Sequence, residues 1–484
     1  MKRSLFAVAL LLAALQAGAA TPGVDAPPQP GPPRPVVVPP LSDERLPNGM
    51  RVIVVPRGGV PLVTATVLVR VGPEADPPER AGLADMTATL LTKGARRGGR
   101  TVGASDIARQ ADALGGTLAG GSAWRASNVA MTVTVPKLDE ALALMADVVR
   151  QPMLAADELE RARVQALDGL RVAFSEPGQV ASFALRRAYW GASPLGAVPT
   201  PASLQRLSRD DVLRFHRTWY RPDVAVLVLA GDVTPTQGMA LARRHFGTWR
   251  HPGSAKPEVP PAPARPAAPP LVVVDMPGSS QSAVTVAAPF VAIGAADRRA
   301  AQVASAVLGA GYSSRLNTEV RIKRGLSYGA AAHGETHPEG GMLIAQAQTQ
   351  PATAPAVLDV MRQEMARLAR EAPAADELAA RQAVLIGGFA RRLETTGGLA
   401  ALVSALVTQD RPLEEMARYT EEILAVTPQQ VRDASARLWG DASTLRAVVA
   451  GDAARGGDAL RAVDGVTKVV PLQKLDLALP GLGP

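Results

Sequence analysis

The stretch Ala156-Asp157-Glu158-Leu159 returns later in the chain as Ala375-Asp376-Glu377-Leu378, and it does not return alone. Val212 and Trp219 recur as Val431 and Trp439, and Ala230-Gly231-Asp232 recurs as Ala450-Gly451-Asp452, all at a shift of about 220 residues. A period that long exceeds the roughly 20–50 residues of solenoid repeats and describes a duplicated domain instead. The 484 residues therefore divide into two similar halves, each long enough to bury its own core.

Outward from these landmarks, each half shows the same order of elements. In the first, 52–55 and 63–71 are strand-like runs, with the turn Leu46-Pro47-Asn48-Gly49 before them. Helices are predicted over 81–93, where Leu83, Met86 and Leu90 share a face, and over 101–114, 138–149 and 156–173; a strand is predicted over 128–135. The second half repeats the pattern with strands over 271–274 and 282–288 and helices over 300–308 and 374–393. Strands and helices in this order predict an α+β fold with two homologous domains, each a mostly antiparallel sheet covered by helices.

Met1-Lys2-Arg3, the apolar run Leu5 to Leu15 and the small residues Ala17-Gly18-Ala19 read as a signal peptide over 1–20, which implies a periplasmic or secreted protein. That run is too short to span a bilayer, and no later segment is long and apolar enough, so no membrane span is expected. A Pro-rich leader follows over 21–40, then a first domain over 41–250, a Pro-rich linker over 251–270, a second domain over 271–470 and a tail over 471–484. With no cysteine, the chain has neither a disulfide framework nor a thiol nucleophile. Its formal charge of +8 is spread along Arg-rich helices without interleaved aromatics, so no nucleic-acid partner is expected.

The residues that bear on chemistry fall in two places. Gly82-Leu83-Ala84 leads into Asp85-Met86-Thr87-Ala88-Thr89, and Ser314-Arg315-Leu316 is followed by Arg321, Gly325-Leu326 and Tyr328. The first resembles the lead-in of the pitrilysin/insulinase-type zinc peptidases, in which H-x-x-E-H would follow. The second resembles the same family's substrate-binding stretch, G-x-S-S-R-L and then R-x-x-x-G-L-x-Y. The resemblance runs from Leu46 to about Asp452. It implies two halves facing each other as a clamshell, and more distantly it extends to the zinc-less alpha subunit of the mitochondrial processing peptidase and the core proteins of the cytochrome bc complex.

Catalytic zinc needs three protein ligands and an open position for water. By the resemblance those positions fall on Asp85, on Thr89 and, on a later helix, on Leu167 or at best Asp168, while the base falls on Ala88. One carboxylate cannot hold the metal, so no cofactor is expected in this chain and zinc is expected in a partner. The resemblance further implies that Arg321 and Tyr328 bind substrate and stabilise an oxyanion in trans, whereas without it they would read as an exposed helical Arg and a half-buried strand Tyr. Leu114-Gly115-Gly116-Thr117 reads either as a plain tight turn or as the entry to an edge strand that pairs with extended peptide. His333-Gly334-Glu335-Thr336-His337 places three metal-binding side chains on alternate residues but reads as a surface strand, and His216, His245 and His251 read better as packing residues than as ligands.

Taken together, the sequence predicts a non-catalytic subunit of a zinc metallopeptidase heterodimer whose partner is an H-x-x-E-H-containing sibling and whose substrates are peptides. The alternatives are a peptide-binding or scaffolding protein with no part in proteolysis, and a hydrolase acting alone through other residues.

Overall fold

A run of β-branched residues can lie flat in a sheet only if both faces are covered, and that condition organises the whole chain. The computed structural model describes residues 36–250, 253–255, 258–259, 268–462 and 467–483. The predicted signal peptide, most of the leader and part of the Pro-rich stretch lie outside the described residues. From Val38 onward the chain forms one unit.

The first half carries strands β1 (Ser42–Arg45), β2 (Arg51–Pro56), β3 (Leu62–Val69), β4 (Gly94–Arg97), β5 (Arg100–Gly103), β6 (Ala119–Ala123), β7 (Ala126–Thr134) and β8 (Ala225–Gly231). Its main helices are α1 (Leu83–Leu91), α2 (Ala104–Ala113), α3 (Leu138–Arg150), α4 (Ala156–Ser175), α5 (Pro177–Trp190), α6 (Arg209–Trp219) and α7 (Pro235–Phe246). The second half carries β9 (Leu271–Asp275), β10 (Ser282–Phe290), β11 (Ala330–His337), β12 (Gly340–Thr349), β13 (Arg446–Gly451) and β14 (Thr467–Pro471). Its main helices are α8 (Arg298–Gly309), α9 (Ala354–Arg370), α10 (Ala375–Leu393), α11 (Thr396–Thr408), α12 (Glu415–Leu424), α13 (Pro428–Trp439) and α14 (Ala453–Ala462).

One six-stranded sheet runs β1-β2-β8-β3-β7-β6 and the other, written in the same sense, β14-β9-β13-β10-β12-β11. Five strands of each sheet therefore correspond in order. Pairing is antiparallel except for β2 with β8 in the first sheet and β9 with β13 and β14 in the second. The sixth strand differs, because the first half takes it from its own start and the second from its end.

The repeated Ala-Gly-Asp has a steric cause. A Cβ on Gly231 would lie 2.1 Å from the Leu62 carbonyl oxygen, and one on Gly451 would lie 2.0 Å from the Ser282 hydroxyl. In both sheets the strand end presses so closely on its neighbour that only glycine fits. The helix predicted from residue 101 begins instead at Ala104, because Arg100–Gly103 pairs with Gly94–Arg97 in a small hairpin. Gly98 and Gly99 close it with φ of 54° and 78°, the backbone that two-residue hairpin turns require.

Each half covers one face of its sheet with its own helices and the other with a helix from its sibling. In β9, Val273 belongs to the core under the second half's helices, while Val272 and Val274 join a third core with Val180, Ala184, Leu185 and Trp190 of α5. Reciprocally, α11 packs on β3 and β8, and the Thr396 hydroxyl lies 2.8 Å from that of Thr64. The halves thus face each other as a clamshell whose two sides exchange a helix. Among the described residues no helix is long and apolar enough to cross a membrane.

Candidate functional site

Helix α1 starts from Gly82, whose φ of 103° is left-handed, and it lacks a side-chain cap of its own. Asp76 supplies one from outside, accepting from the Gly82 amide at 2.8 Å and the Ala84 amide at 2.9 Å. Burial outweighs these bonds and raises its pKa to about 7. Glu74 beside it accepts from the Gly72 and Arg125 amides at 2.9 and 2.7 Å, and burial pushes its carboxyl up as well.

On this helix Asp85 faces outward and accepts from the Ser122 amide of β6 at 3.3 Å, with burial of the carboxyl pushing its pKa up. Ala88 is fully buried, and β6 crosses so close that a Cβ on Gly120 would lie 2.5 Å from its carbonyl oxygen. Thr89 is half-buried and its carbonyl accepts from Thr92 at 3.2 Å. Leu167 on α4 packs against the first core, and Asp168 turns outward to Arg171 at 2.6 Å. One carboxylate, one hydroxyl, a methyl and an isobutyl group do not make a zinc site. Among the described residues no three His, Asp or Glu side chains are grouped as a metal would need.

Gly115 turns the chain after α2 with φ of 77°, and Gly116 packs where a Cβ would lie 2.4 Å from the Thr132 carbonyl oxygen. Thr117 follows, and β6 then runs as an edge strand of the first sheet directly over α1.

In the second cassette most residues are structural. Arg315 grips Glu377 through two bonds of 2.7 and 2.9 Å, Arg381 donates to Ser313 at 2.6 Å, and Leu316 is fully buried. Asn317 donates to the Tyr312 carbonyl at 2.6 Å and accepts from the Ala330 amide at 3.3 Å, which ties this turn to the start of β11. Glu319 is held by Lys323 at 2.7 Å and by Arg324.

Tyr312, Arg321 and Tyr328 are among the residues that the cassette leaves exposed. Arg321 sits in a π-helical turn, Thr318–Lys323, with its guanidinium carbon 5.1 Å from the centroid of the Tyr312 ring. Tyr328 is 91% exposed and lies two residues before β11, not on a strand. It rims a cleft of about 670 Å³ walled by Gln179 and Ser182 of α5, Thr285 of β10 and Gln346 and Gln348 of β12. Arg321 is not part of that lining. The sequence did not point to Tyr312 as the surface on which Arg321 rests.

His333-Gly334-Glu335-Thr336-His337 is a surface strand only at its start. His333 is exposed, but His337 is buried with its ring edge-on to Trp124 and Trp190, at 5.6 and 5.5 Å. Glu335 faces Arg186 of α5 across the halves. His216 is half-buried with Nε2 2.9 Å from the Val149 carbonyl, His245 pairs with Asp139 at 2.7 Å, and His251 lies outside the described residues.

Residues 51–198 match the family Insulinase (Peptidase family M16), and residues 206–385 match the Peptidase M16 inactive domain. The chain belongs to the insulinase family, M16. An uncharacterized zinc protease of Mycobacterium leprae is 28% identical to this M16 chain over 351 residues, 72% of this chain and 78% of the relative. One of Streptomyces coelicolor is 26% identical over 413 residues, 83% and 88% of the two. Among solved structures, a peptidase M16 inactive domain from Pseudomonas fluorescens superposes with a TM-score of 0.77 at 22% identity, covering 85% of this chain and 98% of its own. A protease from Helicobacter pylori gives 0.77 at 20% identity, with 85% and 99% covered. These superpositions establish the M16 fold.

Proposed function

We propose that this M16 chain is the non-catalytic subunit of a periplasmic zinc metallopeptidase heterodimer. The observation that carries the reading is the contrast between its two cassettes. The metal-site positions are filled by Asp85, Ala88, Thr89 and Leu167, with Ala88 and Leu167 committed to packing, while the second cassette is held by ion pairs of the buried Arg315 and Glu319 and presents Arg321 and Tyr328 to solvent. In this reading zinc resides in an H-x-x-E-H-containing sibling, and extended peptide is the substrate. This chain's guanidinium and phenol donate hydrogen bonds to the peptide carbonyl as its oxygen gains charge. The edge strand β6, entered through Gly115-Gly116-Thr117, pairs with extended peptide.

The test is co-purification from the native source, with metal analysis of each separated chain and peptidase assays of each chain alone and of the mixture. Zinc in the partner only, and activity in the mixture above that of the partner alone, support the proposal. Stoichiometric zinc in this chain, or chelator-sensitive peptidase activity of this chain alone, overturns it. A bound sibling whose activity this chain leaves unchanged points instead to the scaffolding role.

A further inference from the structure

The duplication places α8, α10 and β11 in the second half where α1, α4 and β6 lie in the first. In the first half that junction is closed, with β6 pressed on Ala88 and the partly buried Leu167 packed against the core. In the second half β11 presses as closely on the end of α8, where a Cβ on Gly309 would lie 1.9 Å from the Ala332 nitrogen, but the junction is open beside the first turns of α8. It holds a cavity of about 560 Å³, the size of sites that take small molecules.

The walls of this cavity are of two kinds. Phe290, Phe389, Leu402, Leu406 and Met416 form an apolar side. The other side carries three guanidiniums, Arg298, Arg299 and Arg392, against one lining carboxylate, Glu415. Glu415 is 3% exposed and already spent on Arg298 at 2.6 Å and on Arg411. Arg299 is bonded to Glu422 at 2.7 Å and rests with its guanidinium carbon 4.8 Å from the centre of the Tyr419 ring. Arg392 is exposed and has no ion pair or hydrogen bond from its side chain to any described residue, so it is the one lining guanidinium not already engaged by a carboxylate. The Tyr419 hydroxyl accepts from Gln302 at 2.9 Å, and burial pushes its pKa up, which keeps its proton available to a further acceptor.

We infer that this cavity binds a singly charged carboxylate attached to a short apolar tail, with Arg392 and the Tyr419 hydroxyl meeting the carboxylate and the Phe389–Leu402–Leu406 side taking the tail. A planar guanidinium that is not already paired meets a carboxylate through two parallel hydrogen bonds. Desolvating a carboxylate is favourable only where charge and donors replace its water, and the cavity offers both. Two sources share this chemistry, a peptide's C-terminus and a free fatty acid. The site lies on this chain alone and is independent of any catalytic partner.

Calorimetric titration of the purified full chain tests it with three probes: N-acetyl alanyl-leucyl-phenylalanine with a free carboxylate, its C-terminal amide, and octanoate. The acid is expected to bind roughly tenfold or more tightly than the amide, and Arg392→Gln to abolish that preference while Arg392→Lys keeps part of it. Arg109→Gln, exposed on α2 of the first half, should leave binding unchanged. Binding of the peptide acid alone assigns the peptide source, and binding of octanoate alone assigns the fatty acid. Equal binding of acid and amide, a preference that survives Arg392→Gln, or no binding of any probe overturns the inference.

Discussion

Glu335 lies with both carboxylate oxygens 2.9 Å from Nη2 of Arg186, and this pair joins the two halves of the clamshell across 149 residues of sequence. Arg186 stands on the helix that the first half lends to the second sheet, and Glu335 on that sheet's edge strand. Burial opposes the charge on Glu335, but His337 and Arg186 outweigh it and hold the carboxyl at about 2, against 4.5 ordinarily. The folded pKa is depressed, so the stabilisation is complete above pH 4.5 and is lost as pH falls toward 2. Glu335→Gln should lower stability at neutral pH by roughly 2 kcal/mol, the usual worth of hydrogen bonds to a charged group. It should also flatten the acid limb of the melting temperature measured by circular dichroism between pH 5 and 3. An unchanged acid limb in the variant would refute this role.

Asp76 titrates in the opposite sense. Its pKa is raised from 3.8 to about 7 while it caps α1, so the folded chain holds a proton that the unfolded chain releases. Stability attributable to this group therefore falls as pH rises from about 4 to 7 and is level above that, by on the order of 4 kcal/mol. Carbonyl-region infrared titration should find a carboxyl with a midpoint near 7 that disappears in Asp76→Asn. The same variant should lose the downward slope of melting temperature over that interval.

Much of this fold is readable in the linear sequence, for reasons local to a few residues. Gly231 and Gly451 sit where strands touch, Leu159 and Leu378 are buried at the same point of paired helices, and Ser208 and Thr427 cap α6 and α13 with matching capping boxes. Each is a constraint on one position, so duplication left it visible. The interface between halves was not legible. Any Arg and Glu on the right faces could make the Arg186–Glu335 pair, and nothing near His337 in sequence names Trp124 and Trp190 as its neighbours. Tyr328 falls short of the strand expected for it because Ser327 bonds to the Gly329 and Gln348 carbonyls and holds the segment in a bend before β11 begins.

If Arg321 and Tyr328 serve a partner's zinc centre, their loss should appear in turnover and not in folding. Both are exposed, and the ion pairs that hold the cassette, Arg315 with Glu377 and Glu319 with Lys323, do not involve them. Arg321→Ala in the assembled peptidase should cut kcat by about 10²–10³, with KM changed far less, because the donated bond strengthens only as the oxyanion forms. Tyr328→Phe should act in the same direction. Melting curves of the variants should superpose on the wild type, and unchanged kcat in both would remove the catalytic part of the proposal.

The metal-site positions allow a stricter experiment, because the reason they fail to form a site is steric as well as chemical. Asp85 and Thr89 lie one helical turn apart and could both become His, but Ala88 between them is fully buried beneath Gly120. A Glu there must either displace β6 or bury its charge, so Ala88→Glu alone should destabilise the chain by roughly 2–4 kcal/mol in urea unfolding. Wild-type protein dialysed against zinc should retain only substoichiometric metal. Asp85→His with Thr89→His and Leu167→Glu supplies three ligands without touching Ala88, and should bind zinc measurably while remaining inactive as a peptidase for lack of a general base. Zinc retained by the wild type would show that ligands outside these four positions hold it. Failure of the three-ligand variant to bind would mean that α4 stands too far from α1 for a shared ion.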